Sequence, residues 1–187
     1  NEAGTMLVEA MAMLGLIAMV TPILYKKAAE RTTELQDINA SNQLRILANA
    51  MDAYIKDNFT RINDGEAVVN SCNVGNVDYS SFTDATSVSF DISHLCEYLP
   101  YGFLKDGKTQ DSKLFSSANP SFQVVLRKTT GTELDENNQP VVVAETVTGF
   151  LTAVPNEGED FPSTRVSRIA TMVGSNGGYV EDDGKIM

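Results

Sequence analysis

The sequence predicts an α+β protein in which one long N-terminal helix packs on an antiparallel β-sheet. Three features of the 187 residues predict this fold class. The chain opens with an almost wholly apolar run, GTMLVEAMAMLGLIAMVTPILYKK. A stretch without proline or glycine follows, with apolar residues at the steps of three and four that a helix face requires. Two runs rich in Val, Thr and Phe come later, as expected of strands.

The opening run has the length and composition of a membrane-spanning helix. Residues 6–25 contain a single charged residue, Glu9, and about 20 helical residues at 1.5 Å each match a hydrocarbon layer of roughly 30 Å. The chain before the run has no basic residue, unlike a secretory signal peptide. We therefore expect residues 5–27 to be retained as a membrane-spanning helix, bent near Pro22 because proline removes a helical hydrogen bond.

Residues 28–58 continue this helix as an amphipathic segment. Its predicted apolar face carries Leu44, Leu47, Met51, Tyr54 and Ile55, and its predicted polar face carries Asp37, Asn42, Asn49 and Lys56. The apolar face should lie against a globular head, whereas the preceding half should protrude. The complete helix is predicted to be bent and about 50 residues long, at 1.5 Å per residue.

The head is expected to cover residues 59–187. Residues 58–99 are rich in Ser, Asn, Asp and Gly and should form a looped connector. The runs SFQVVLRKTTG and PVVVAETVTGFLTAV are predicted as antiparallel strands joined by the turn TELDENNQP. A short helix should begin at Pro162 and Ser163 and stop at Gly174, before an edge strand at Tyr179 and Val180.

The two cysteines, Cys72 and Cys96, leave two interpretations open. In an extracytoplasmic protein an even cysteine count usually pairs, and this bond would close a loop of about 25 residues. In a cytosolic domain the same residues would be two buried thiols. His94, the sole histidine, has no second Cys or His pair with which to complete a zinc site. No metal site is therefore expected there.

Composition and motifs argue against several functions. The net charge of −11 and the pI near 4.4 disfavour nucleic acid as the main partner. The chain lacks GxSxG, HExxH and P-loop motifs, so we expect neither an enzyme nor a cofactor. Asp135 and Glu136 lack the spacing of an EF-hand loop and are interpreted as part of a solvated turn.

The stretch Gly4-Thr5-Met6-Leu7-Val8-Glu9 resembles the prepilin processing motif of type IV pilins and type II secretion pseudopilins. In that family a peptidase cuts after the glycine, so the resemblance makes residues 1–4 a leader remnant and Thr5 the mature N-terminus. It also implies that the Thr5 amine is methylated and pairs with Glu9 of a neighbouring subunit. An ionised carboxylate in a membrane helix costs about 3 kcal/mol on insertion scales, and this pairing would offset that cost.

The resemblance implies a pilin-like fold and a structural role. Residues 5–27, with Pro22, would form the core of a type IV pilus-like extracellular filament, and the head would form its outside. Partners would be other copies of the chain in a helical homopolymer, the prepilin peptidase and the assembly machinery. The precursor would reside in the bacterial inner membrane. RIATMVGSNGGYVED resembles a segment of type IVb and thin-pilus pilins.

Two other functions fit the same helix. A minor or tip pilin, or a type II secretion pseudopilin, would use its head as a binding module, for example in cell adhesion. A membrane-anchored sensor domain would use the helix only as an anchor.

Overall fold

The computed structural model describes residues 2–72, 74–105, 108–109, 121–135, 138–154 and 163–173. Within these ranges it describes all side chains except those of residues 2–10, 12, 16, 105, 108, 109, 143 and 154. The described elements, in chain order, are α1 (Glu2–Asn63), β1 (Val68–Val69), β2 (Asn76–Val77), β3 (Ser87–Asp91), a 3₁₀ helix (Ile92–Leu95), β4 (Leu104–Lys105), β5 (Lys108–Thr109), β6 (Ser121–Leu134), β7 (Pro140–Val154) and α2 (Ser163–Val173). The chain is therefore α+β, as the sequence predicts.

Helix α1 is longer than predicted. It contains 62 residues, or about 90 Å at 1.5 Å per residue, and it continues through Pro22. Its end is explained by Gly65, which has the positive φ of 73° that glycine adopts without steric cost. The N–H of Gly65 donates to the carbonyl of Ile62, and the N–H of Glu66 donates to that of Arg61 at 2.8 Å. These two bonds form the glycine-terminated Schellman motif that ends many helices.

The main sheet has three strands in the order β3-β6-β7, all antiparallel. The predicted hairpin is confirmed: β6 and β7 pair from Ser121–Val154 to Leu134–Pro140. The Asp135 carboxylate accepts a hydrogen bond from the N–H of Gln139 at 2.8 Å, which supports the turn between the strands. Strand β3 was not predicted, because it lies within the Ser- and Thr-rich stretch that we interpreted as a loop.

The core lies between α1 and the sheet. The predicted apolar face of α1 is confirmed: Leu47, Met51, Tyr54 and Ile55 are buried, and Leu44 packs against the same core. Val124 and Leu126 of β6 are fully buried. The remaining buried apolar residues of this core come mainly from the connector: Val68, Val77, Tyr79, Phe82, Phe90, Ile92, Leu95 and Leu99.

A disulfide bond closes a loop within the connector, residues 58–99. Cys72 and Cys96 are bonded, with 6.5 Å between their Cα atoms and a sequence separation of 24 residues. The pairing expected for an extracytoplasmic protein is therefore confirmed. Cys96 follows the 3₁₀ helix, whose first turn is capped by Asp91, so the bond ties residue 72 to the end of β3 through a short, hydrogen-bonded segment.

Helix α2 confirms the predicted helix from Ser163 to Val173. It packs on α1 with Ile169 buried and with Val166 and Val173 against the core. The predicted signals at Pro162 and Gly174, and the predicted edge strand at Tyr179 and Val180, lie outside the described residues.

Gly149 of β7 lies close to α1. A Cβ atom there would lie 2.6 Å from Met51 Sδ and 2.8 Å from Ile55 Cδ1. We expect Gly149→Ala to lower the free energy of unfolding by about 1 kcal/mol, because overpacking outweighs the benefit of a stiffer unfolded chain. Urea denaturation measures this change.

Gly131→Ala is the matched control in the neighbouring strand. Its added Cβ would lie 3.5 Å from the Ala144 Cβ atom, an ordinary contact. This variant should be as stable as the parent chain or slightly more stable. Equal stability of the two variants would show that Gly149 is not required for the close approach.

Candidate functional site

The N-terminal half of α1 exposes a continuous series of large apolar side chains. From Met11 to Tyr25 every described side chain is exposed. The exposed fractions of the large ones are Met11 67%, Met13 68%, Leu14 66%, Ile17 61%, Met19 75%, Val20 46%, Ile23 58%, Leu24 61% and Tyr25 74%. They surround the helix and do not form one stripe. A helix that is apolar on all sides is typical of a segment covered by protein or lipid on all sides.

This exposure is energetically large. Full burial of one such side chain contributes about 1.5–3 kcal/mol. Soluble monomers rarely expose contiguous apolar patches larger than a few hundred Å², and larger patches usually mark contacts with protein or membrane. The exposed half of α1 is therefore the candidate functional site of the described chain.

The residues predicted for processing and assembly lie at the beginning of this helix. Gly4, Thr5 and Glu9 belong to the first turns of α1, and their side chains lie outside those described. Pro22 is an exposed residue within the helix. The structure thus places these residues on one continuous helix with the exposed apolar surface.

In the part of the chain that the structure describes, no helix is both long enough and apolar enough to cross a membrane. The predicted spanning segment, residues 5–27, includes side chains at residues 5–10, 12 and 16 that lie outside those described. The membrane-spanning part of that prediction is therefore not confirmed.

The exposed half of α1 ends at a buried ion cluster around Asp37. The Asp37 side chain is fully buried, and its Oδ1 atom lies 2.7 Å from Nη2 and 2.9 Å from Nε of Arg165. Its Oδ2 atom lies 3.0 Å from Nε of Arg168. Arg165 also approaches the Gln36 amide oxygen at 3.5 Å. Two arginines from α2 thus neutralise one carboxylate on α1, where the head begins.

The prediction that Asp37 lies on the polar face of α1 is wrong. Asp37 lies seven residues before Leu44 and fourteen before Met51, so it belongs to the same helix face as these apolar residues, and the arginines of α2 pair with it there. Arg165 lies 128 residues away in the sequence, so local spacing contains no signal for the pairing. A second contact follows one turn of α2 later, where Arg45 donates to the carbonyl of Met172.

His94 contributes to packing in the described part of the chain. Its Nδ1 atom lies 3.0 Å from the side-chain amide nitrogen of Asn70. Its ring packs edge-on against the Phe90 ring, with 5.6 Å between the two ring centroids. Burial lowers the pKa of His94, an effect that Asp91 opposes. Among the described residues, no group of three or more His, Cys, Asp or Glu side chains is placed to hold a metal ion.

A shallow groove of about 390 Å³ separates α1 from β7. It is lined by Asp52, Ile55, Lys56, Val147, Thr148 and Gly149. Asp52 and Lys56 are exposed, and the lining contains no paired nucleophile and base of the kind that covalent catalysis requires. The groove therefore provides no catalytic arrangement.

Comparison of the chain with protein-family models, curated proteins and solved structures gives no match. The functional interpretation therefore depends on the chain's own residues: the prepilin-like motif and the exposed helix that contains it.

The cluster around Asp37 should determine how firmly α2 holds α1. Arg165→Ala removes both contacts to Oδ1 and leaves a fully buried carboxylate with one partner, so we expect the free energy of unfolding to fall by about 3 kcal/mol. Arg168→Ala is the matched control: its side chain is 44% exposed, and its loss should cost about 1 kcal/mol or less. Chemical denaturation measures the free energy of unfolding of both variants. Equal losses would contradict the prediction that Arg165 contributes more than Arg168.

Proposed function

We propose that the chain is the structural subunit of a type IV pilus-like extracellular filament, assembled through the N-terminal half of α1. The observation that carries this proposal is the exposed apolar surface from Met11 to Tyr25, which is continuous with a prepilin-like motif at Gly4 to Glu9. In a bundle of such helices each copy covers the apolar surface of its neighbours. The proposed precursor resides at the bacterial inner membrane and is processed by a prepilin peptidase.

The head and the N-terminal half of α1 have separate roles in this proposal. The head has its own core, a disulfide and the ion pair between Arg165 of α2 and Asp37 of α1. Its folding therefore does not require the N-terminal half of α1. The N-terminal half is consequently available for other copies. Association within the bundle depends on close packing of side chains, because the transfer of apolar surface from lipid to protein provides little driving force.

In this proposal Glu9 sets the axial position of each copy. Cleavage after Gly4 creates a positively charged amine at Thr5, and a carboxylate in an apolar surrounding is stable only when a cation lies beside it. A copy that docks at the wrong height leaves both charges unpaired. The pair therefore favours one step between neighbouring copies over all others.

The N-terminus of the mature protein tests the processing step. We expect intact-mass and N-terminal peptide analysis of protein from sheared cell-surface filaments to find a methylated amine on Thr5. Protein that retains residues before Thr5 in the filaments would contradict the proposal.

Replacement of Glu9 tests the assembly step. Glu9→Ala should leave the Thr5 amine unpaired in the apolar core, at a cost of roughly 3 kcal/mol per subunit, and should reduce the yield of sheared filaments more than tenfold. The matched control is Asp52→Ala, which removes an exposed carboxylate of the same helix beyond the apolar region. Normal filament yield from Glu9→Ala, with the head folded in both variants, would remove the electrostatic role.

A further inference from the structure

Two separate regions of the chain carry net charges of opposite sign. The first region, here called the neck, consists of residues 26–45 of α1 together with α2, Ser163–Val173. It contains six basic and three acidic residues, a net charge of +3 in a chain whose total is −11. The second region, here called the acidic end, consists of residues 57–97. It contains seven acidic residues and one basic residue, Arg61, a net charge of −6.

The charges of the neck face solvent. Lys26, Lys27, Arg31 and Arg45 are exposed on α1, and Arg168 of α2 is 44% exposed. Asp37 is buried beneath Arg165 and Arg168, so one of the three acidic residues contributes little to the outer surface. Arg165 is buried as well, so the exposed charges of the neck, five basic and two acidic, keep the net charge of +3.

The charges of the acidic end also face solvent. All seven of its carboxylate residues are exposed: Asp57, Asp64, Glu66, Asp78, Asp84, Asp91 and Glu97. Hydrogen bonds from Ser80 lower the pKa of Asp78, and hydrogen bonds from Ser71 lower the pKa of Glu97. Both carboxylates are therefore ionised at neutral pH.

The two regions cannot neutralise each other within one copy. Along α1 the nearest charged residues of the two regions, Arg45 and Asp57, are 12 positions apart, or about 18 Å at 1.5 Å per residue, and Arg31 and Asp64 are about 50 Å apart. The Debye length at physiological ionic strength is about 8 Å. The attraction between them is thus available only to another molecule, and a second copy of the chain carries the complementary surface.

We propose that the neck of one copy binds the acidic end of the next copy along the filament. This inference rests on the proposed function and specifies how the heads, as distinct from the apolar helices, contact each other. Two different surfaces meet in this contact, so it is heterologous and can propagate without closing. An open chain of such contacts is the geometry that a filament requires.

An anionic lipid surface is the competing partner for a basic neck. Lys26 and Lys27 directly follow the apolar run, as membrane-binding basic residues often do. Arg45 lies about 30 Å further along the helix, beyond the reach of a screened lipid charge. Lipid therefore accounts for the beginning of the neck, whereas a protein surface of opposite charge can match its whole length.

A charge exchange between two variants tests the contact in the full-length chain. The neck variant combines Lys27→Glu with Arg31→Glu, and the end variant combines Asp64→Lys with Glu66→Lys. Each variant alone should dissociate from purified filaments at a subunit concentration roughly five- to tenfold higher than the parent chain, because two exposed ion pairs become repulsive. Sedimentation of diluted filaments measures this concentration.

Filaments formed by co-expression of the two variants should recover the parent value, because each reversed neck then meets a reversed end. Lipid headgroups cannot produce this recovery, since their charge does not change with the variant. Lys56→Glu, an exposed residue of α1 outside both regions, is the control and should behave like the parent chain.

The neck contact would be overturned if neither charge reversal changed the concentration at which filaments dissociate, or if the two variants together did not recover the parent value. Either result would leave the proposed function intact. Absence of filaments from the parent chain itself would instead overturn the proposed function. Circular dichroism of each variant distinguishes lost assembly from lost folding.

Discussion

The buried carboxylate of Asp37 is the constraint around which the two parts of the molecule are arranged. A fully buried charge is tolerated only where opposite charges meet it directly, and here both partners, Arg165 and Arg168, come from α2. The cluster therefore fixes α2 at one height along α1. That height is also where α1 changes from an exposed apolar helix into one wall of a core.

The position of α2 determines which part of α1 belongs to the head. Beyond Asp37 the helix contributes buried residues to the core at regular intervals, from Ala40 to Ile62. Before Asp37 the described side chains are exposed or only partly buried. One uninterrupted helix thus serves two environments without a loop between them, and a force on its exposed half is transmitted directly into the head.

The sequence was a good guide wherever a local pattern determines the structure. The face of α1 that carries Leu47 and Tyr54, the β6–β7 hairpin and helix α2 all follow from periodicity and turn residues within a short window. The pairing of Cys72 with Cys96 followed from cysteine count and an assumed compartment. These predictions needed no information about distant parts of the chain.

The errors occurred where a distant residue decides the outcome. Asp37 was assigned to solvent because it is charged, although it shares a helix face with Leu44 and Met51; the two arginines that pair with it are more than 120 positions away. Strand β3 was missed because its five residues contain only Val88 and Phe90 as an apolar signal, and pairing with β6 makes it a strand. Of the candidate site, the exposed apolar helix was predictable, whereas its boundary at α2 was not.

The disulfide has a consequence for the shape of the molecule as well as for its stability. Between Cys72 and Cys96 the chain carries three acidic residues, Asp78, Asp84 and Asp91, and no basic residue, so mutual repulsion favours expansion of the connector. Two two-residue strands, β1 and β2, oppose that expansion only weakly, so the covalent bond confines it. In a reducing compartment, loss of the disulfide would thus expand the connector first, while the hairpin and the helices kept their own hydrogen bonds.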